Sequence, residues 1–276
     1  MEFNFVRLEL TVSLQPPHHD PYRFFEMGRF FPSVFRERGS GAWEEIFAQA
    51  VSADPEEVRR HQKPPLPFVF DLPVLSPSER EARVGLVLVG RGISRLPEFL
   101  QAFSNMLAAG EPVRGSLLGV ACRGFSGEET AVSSTGEGAV ILNGADYLQE
   151  PEGVGGLGLT FDTPLKLTAD GRTLHRFDFS VFFRSLLRRL SSLAACYCGT
   201  PLQADFQRLA SLSREISVDD SRMQAARWKG ERISGVLGTA GISGDLLELQ
   251  PFLRLGTFFH CGKGASYGLG RFRLEG

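Results

Sequence analysis

The stretch FFHCGKGASYGLGRFRL, Phe258 to Leu274, holds four glycines within nine residues: Gly262, Gly264, Gly268 and Gly270. Glycine has no Cβ, so its amide can meet an extended ligand closely and its φ can be positive. Successive amides in such a turn form an anion-binding concavity. Lys263 would add a point charge there, Arg271 a planar fork and Ser266 a hydroxyl. His260 stands just before the loop, and an imidazole that titrates near neutrality suits proton transfer. The same residues fit a glycine turn that merely packs under a sheet, with His260 ending the preceding helix. Two nucleotide fingerprints fail. A mononucleotide loop needs Gly-Lys-Ser/Thr four residues after a glycine at a strand-to-helix turn, but Gly264 follows Lys263 and a strand follows the loop. A dinucleotide fingerprint needs its third glycine one residue before Gly268, with a helix after it.

The other histidines are His18, His19, His61 and His175. His61 and His175 read as surface residues. His18 and His19 lie in HHDPY, with Tyr22 at its end, in a proline-rich loop. The four cysteines form no CxxC pair, so reduced thiols in a cytoplasmic protein are expected, and no metal or other cofactor. Net charge is −2, yet the segment from Leu165 onward carries +6 and the remainder −8, so a polyanion would favour the C-terminal half. All but four of the 30 cations are arginine, the side chain suited to planar phosphate contacts.

These residues need elements to hold them. Val6, Leu8, Leu10, Val12 and Leu14 alternate with polar residues and predict a strand over 2–14. Helical patterns follow over 22–38, interrupted near Pro32, and over 43–51. Short strands are expected over 63–73 and 84–89. Leu96, Phe99, Leu100, Phe103 and Leu107 form one stripe of a helix over 95–109 that Gly110 ends. Strands over 116–122 and 130–142 complete this half. The linker-like EPEGVGG, Glu150 to Gly156, marks a boundary. The pattern then recurs: a strand over 157–167, an amphipathic helix over 177–197, a glycine-broken strand over 228–243, a short helix over 251–259 and a last strand over 267–274. Arg184 and Arg188 lie four apart on one face of the long helix. Two βαββαβ patterns in series predict an α+β fold of two tandem ferredoxin-like (RRM-like) modules, 1–150 and 151–276, the second carrying the glycine-rich loop. The first strand carries charges and no apolar run is long enough to span a bilayer, so neither a signal peptide nor a membrane association is expected.

LRLGTFFHCGKGASYGLGRFRL resembles the C-terminal glycine-loop signature of the CRISPR-associated RAMP superfamily, and within it the precursor-RNA-processing endoribonucleases (the Cas-six family). HQKPPLPFVFDLP, LTFDTPLKLTADGRTLHRFDFSVFFRSLLRRLSSLAACY and RWKGERISGVLGTAGISGDL are similar to further stretches of one branch. The resemblance covers most of the C-terminal half and is thin over the first 60 residues. It implies metal-independent cleavage of CRISPR repeat RNA, in which a 2′-hydroxyl attacks the adjacent phosphate and leaves a 2′,3′-cyclic phosphate. Other subunits of a CRISPR effector complex are the implied partners. Catalytic candidates are then His260, His19 and Tyr22. RNA contacts fall to Gly262, Lys263, Gly264, Ser266, Gly268, Gly270, Arg271, Arg184 and Arg188, and Arg227, Trp228 and Lys229 combine a stacking ring with charge. The HHDPY loop shows no recognisable family motif, which leaves open a non-catalytic RNA-binding subunit of the same fold.

Overall fold

The computed structural model describes residues 3–15, 22–37, 41–47, 64–73, 80–148, 155–169, 171–219, 221–228 and 233–276. The chain forms two compact units, Phe3–Leu142 with Cys196–Gly199, and Asn143–Ala195 with Thr200–Gly276. The linker-like Glu150–Gly156 lies almost wholly outside the described residues.

The N-terminal unit opens with β1 (Asn4–Leu14), whose alternation buries Val6, Leu8, Leu10, Val12 and Leu14 as the sequence predicts. Helices α1 (Tyr22–Phe25), α2 (Met27–Glu37) and α3 (Ala42–Phe47) follow. Strands β2 (Phe68–Phe70) and β3 (Glu81–Val89), helix α4 (Leu96–Ala109), and strands β4 (Gly115–Arg123) and β5 (Glu129–Ala131) come next. The sheet order is β2-β3-β1-β4-β5, and the two-residue β6 (Leu142–Asn143) also pairs with β1. Gly110 ends α4 at φ +79. Phe31, Phe35, Phe68, Phe70 and Phe99 interlock beneath this sheet with ring centroids no more than 5.9 Å apart. That packing explains why α2 runs straight through Pro32, where the sequence suggested a break: buried Phe31 and Phe35 hold the helix on either side. The strand expected over 130–142 is instead two short strands around turns, with Gly136 and Gly138 at positive φ.

The C-terminal unit repeats the order. Helix α5 (Ala145–Leu148) leads into β7 (Gly156–Leu165), a small hairpin of β8 (Thr168–Ala169) and β9 (Arg172–Thr173), and helix α6 (Phe179–Leu193). Asp178 caps α6 by accepting the Val181 amide at 2.8 Å. After α6 the chain winds through a π turn to Gly199 at φ +70. Helix α7 (Phe206–Glu215) was not foreseen, because it buries only Leu209 and Ser213 and so leaves little apolar periodicity. Strands β10 (Ser217–Asp219), β11 (Gln224–Trp228) and β12 (Ile233–Ser243), helix α8 (Gln250–Gly256) and β13 (Phe272–Glu275) complete the unit. The glycine-broken stretch contains strand β12, which forms a hairpin with β11, as its resemblance to the family's tryptophan-containing hairpin implies. The sheet order β10-β12-β7-β13 is the ferredoxin-like one, with the first strand central and the last at an edge.

Phe161 of β7, Phe182 of α6 and Phe272 of β13 meet at centroid distances of 5.2, 5.1 and 5.7 Å and join helix to sheet. Phe182→Ala should lower the unfolding free energy by about 3–5 kcal/mol. Leu247→Ala, at an exposed position, should change it by no more than about 0.5 kcal/mol. Urea denaturation followed by circular dichroism distinguishes the two.

Candidate functional site

The glycine segment begins where α8 ends. The amides of Phe259 and His260 both donate to the Gly256 carbonyl, at 3.0 and 3.1 Å, so the helix tightens before it stops. Gly256 itself must be small, since a Cβ there would stand 2.6 Å from Leu186 of α6. His260 closes the helix in the left-handed region at φ +56 and has no exposed surface. A residue so enclosed cannot touch a bound polymer from where it stands. Of the two places the sequence leaves for it, His260 takes the one at the end of the helix, with its side chain in the core.

Beyond it, the loop is stitched to the end of β7. The Cys261 amide donates to the Gly270 carbonyl at 3.1 Å and closes the loop on itself. The Lys263 amide donates to Lys166 O at 2.9 Å, and the Gly270 amide to Pro164 O at 3.1 Å. Thr163, 6% exposed, donates its hydroxyl to Gly268 O at 2.8 Å and accepts the Arg271 amide at 2.9 Å. The amides of Ala265, Tyr267, Gly268 and Leu269 find carbonyls within the loop. All four glycines have positive φ. At Gly270 the requirement is also spatial, because a Cβ would overlap the Cys261 carbonyl.

A row of bare amides is therefore not what the loop presents. Gly268 and Gly270 are buried, and their amides and carbonyls bond within the fold. Among the described residues, the loop amides left without an acceptor are those of Gly264 and Ser266. Gly264 is half-buried and adjoins Lys263, whose side chain is exposed, whereas Ser266 is buried. Gly262 is half-buried, and its amide leans toward the Cys261 sulfur.

Arg189 of α6 braces the loop from within. Its Nε donates to Phe259 O at 2.7 Å, and a terminal nitrogen lies 3.4 Å from Ser266 Oγ. The sequence pointed instead to Arg184 and Arg188, which do share the exposed face of α6. Arg184 borders a groove of about 480 Å³ with Asp178, Arg214 and Val218. Arg271 is half-buried and lies 3.4 Å from Asp162, which also holds Arg273 through two bonds of 2.8 and 2.9 Å. One carboxylate thus faces two guanidinium groups, and a positive charge is left over. Burial pushes the Cys261 thiol up to about 12, against the opposing pull of Arg189. Burial also pushes the Tyr267 phenol up.

Tyr22 begins α1 and is half-buried, His175 and Arg227 are exposed, and His18, His19, His61 and Lys229 lie outside the described residues. Two contributors were missed by residue type alone. Thr163 lies in the quoted stretch LTFDTPLKL, where its burial opposite a glycine loop was the available signal. Arg189 was hidden by the exposed Arg188 beside it.

Residues 159–272 match the family model described as CRISPR-associated endoribonuclease Cas6, and residues 37–137 match a second model, AF_1859_N, described as an N-terminal domain. Thermus thermophilus Cas6 (TTHB231) superposes with a TM-score of 0.61 at 16% identity, covering 99% of both chains. A Cas6 (TTHA0078) product complex superposes with a TM-score of 0.59 at 20% identity, covering 99% of this chain and 100% of the other. A chain of a partial Cas6-RT-Cas1–Cas2 complex gives 0.62 at 10% identity, covering 99% of this chain and 46% of that one. No curated protein sequence matches the chain significantly. The tandem ferredoxin-like fold is common to these structures.

Gly270→Ala should cost about 1–3 kcal/mol from backbone strain alone and more from the overlap with Cys261, read as a drop in denaturation midpoint. Cys261 should resist Ellman's reagent at pH 8 in the native protein, because almost none of it is thiolate, and should react in denaturant.

Proposed function

We propose, from the match of residues 159–272 to the Cas6 endoribonuclease family model, that this chain cuts CRISPR repeat RNA to release guide RNAs. The observation that carries this reading is the loop itself. The matched segment builds a turn that leaves two amides unspent, that of Gly264 next to the exposed Lys263 and that of the buried Ser266. The 2′-hydroxyl upstream of the scissile phosphate attacks in line, the 5′-oxygen leaves with a proton, and a 2′,3′-cyclic phosphate remains. The phosphorane gains negative charge as it forms. Donors fixed in advance stabilise that charge without reorganising, which is the part assigned to the two amides and Lys263. No metal takes part. Arg184 and Arg188, on one exposed helix face, grip the backbone of the repeat. Gly262 and Arg271 flank the strand at the ends of the loop.

Proton transfer is assigned to His19 and Tyr22 in the HHDPY segment, with His260 restricted to shaping the loop. Cas6 proteins of this fold are found in product and substrate-mimic complexes and in a Cas6-RT-Cas1–Cas2 complex. On that pattern, the partners proposed here are the CRISPR precursor repeat and further CRISPR subunits. No helix among the described residues is long and apolar enough to cross a membrane. The burial of His260 favours one second reading, a subunit that binds the repeat and leaves cutting to another nuclease.

A repeat hairpin incubated with the protein in EDTA should be cut, and a 2′-deoxy nucleotide at the scissile position should abolish cutting while leaving binding nearly intact. Loss of cutting on chelation would remove the 2′-hydroxyl mechanism, and binding without any cutting of the all-ribose hairpin selects the second reading. Lys263→Ala should slow single-turnover cleavage by about 10²-fold. His19→Ala should abolish cleavage with binding retained. His260→Ala should lower the melting temperature and, assayed below it, change the cleavage rate less than tenfold.

A further inference from the structure

The groove of about 480 Å³ that Arg184 borders opens between the start of α6 and the end of α7, beside the edge strand β10. Its volume falls within the range of small-molecule sites, roughly 300–1,000 Å³. Arg184 stands on its α6 side and Arg214 on its α7 side, and both are exposed. Three observations say what it would take.

The first is unspent charge. Among the described residues no carboxylate pairs with Arg184 or Arg214, and Arg184 gives only its Nε, to the Ser180 carbonyl one turn back at 3.2 Å. Arg208, six residues before Arg214 on α7, shows the contrast: three bonds of 2.6, 2.8 and 3.0 Å bind it to Glu248. Asp178 also lines the groove, and one of its oxygens accepts the Val181 amide at 2.8 Å. Two guanidinium groups therefore face one carboxylate. The second is fixed geometry. Ser213, 1% exposed, donates to Ala210 O at 2.8 Å and takes the Ser180 hydroxyl at 3.2 Å. That pair ties α6 to α7 at the groove and spends both hydroxyls, so the side-chain donors that remain are the two arginines. The third is alignment. Arg189 touches Phe259 O and Ser266, and the charge of Arg188 bears on the Cys261 thiol, so this turn of α6 stands beside the glycine loop. Arg184 is one turn, about 6 Å, farther along the axis, and Arg214 lies across the groove from it. That spacing is close to the step between successive phosphates of one strand.

We propose that this groove holds one phosphate of an RNA strand that continues from the glycine loop along α6, with Arg184 and Arg214 as its two donors. A guanidinium offers paired N–H groups in a plane that match phosphate oxygens, and here one approaches from each helix. Phe177, Ile216 and Val218 supply an apolar wall for the ribose of that nucleotide. No base edge is read, so the contact is independent of sequence. Its part is to fix direction: with one phosphate at Lys263 and another in the groove, the strand runs along α6. Arg214 becomes an RNA contact that no motif announced. The inference rests on the RNA reading above and extends it to residues outside the loop.

The test is a fluorescence-anisotropy titration of the full chain with labelled rU9, which forms no hairpin, between about 50 and about 200 mM KCl. Each phosphate contact to a single strand contributes about 0.7 to the slope of log affinity against log salt. Arg214→Gln should lower the slope by about that amount and weaken binding about fivefold at the lower salt, while the circular dichroism spectrum stays native. Arg114→Gln, which removes an exposed arginine of the N-terminal unit, should change neither. Val218 is 38% exposed on the groove wall, so Val218→Lys should tighten rU9 about threefold, and Leu247→Lys, exposed outside the groove, should not. An Arg214→Gln protein that behaves like Arg114→Gln, or a Val218→Lys protein that binds no tighter than Leu247→Lys, overturns the inference. Cutting of a repeat hairpin without measurable rU9 binding overturns it too, since the contact reads no base. In each of these cases a chain that still cuts the hairpin keeps the nuclease reading. One that neither binds nor cuts RNA loses both.

Discussion

The C-terminal unit depends on what happens where β7 outlives its neighbour. β13 pairs with β7 only from Gly158 to Phe161. Past that point the same edge of β7 still carries amides and carbonyls that need partners once buried. The chain answers with a loop and not a strand. Asp162 N donates to Arg271 O, Pro164 O accepts from Gly270, and Lys166 O accepts from Lys263. The loop continues the ladder irregularly, and Thr163 fills a gap that main-chain groups alone would leave by both donating and accepting. Gly262 and Gly270 follow from this geometry. At Gly262 a Cβ would lie 2.5 Å from Lys166 O, and at Gly270 it would overlap Cys261 O.

The bonds that anchor the loop also leave few of its amides for a ligand. Most of its amides are committed to the fold, and the two left over sit at defined positions, one of them next to a lysine. An anion site built from many free amides would have to be held open by something else. Here the internal bonds do that, and Arg189 locks the helix end to the turn by touching Phe259 O and Ser266. Preorganised donors of this kind stabilise a developing charge better than mobile ones, since nothing must reorient as the charge appears. His260 belongs to the same construction. A buried side chain at positive φ fixes where the helix hands over to the loop.

Period-two and period-3.6 patterns made the tandem modules legible wherever one face is buried and the other is not. β1, α4 and α6 were all readable on that ground. Legibility failed where burial is narrow or packing overrides local preference. α7 shows two buried positions only, and α2 ignores Pro32 because five phenylalanines hold it. In the site, the glycines announced a strained turn correctly, but sequence cannot say which amides a turn has already used. That is a long-range property, set by residues 162–166, about a hundred positions upstream. The same distance hid Arg189, whose neighbour Arg188 is exposed while its own guanidinium turns inward.

Charge composition misleads in a parallel way. The C-terminal half carries an excess of +6, which suggests a broad basic surface. Many of those cations are engaged. Asp162 holds Arg273 and draws on Arg271, Glu248 holds Arg208 through both its oxygens, and Arg189 is turned to main chain. Under the proposed RNA reading the placed charges include Lys263 at the loop and Arg184 and Arg188 on α6, against the diffuse background of other exposed arginines. Diffuse charge attracts any nucleic acid and falls away with salt, whereas placed charge beside fixed amides sets the register of one phosphate. By this argument the cations held by carboxylates shape the strand and helix surfaces, and an RNA bound as proposed would take its register from the outer turn of the loop.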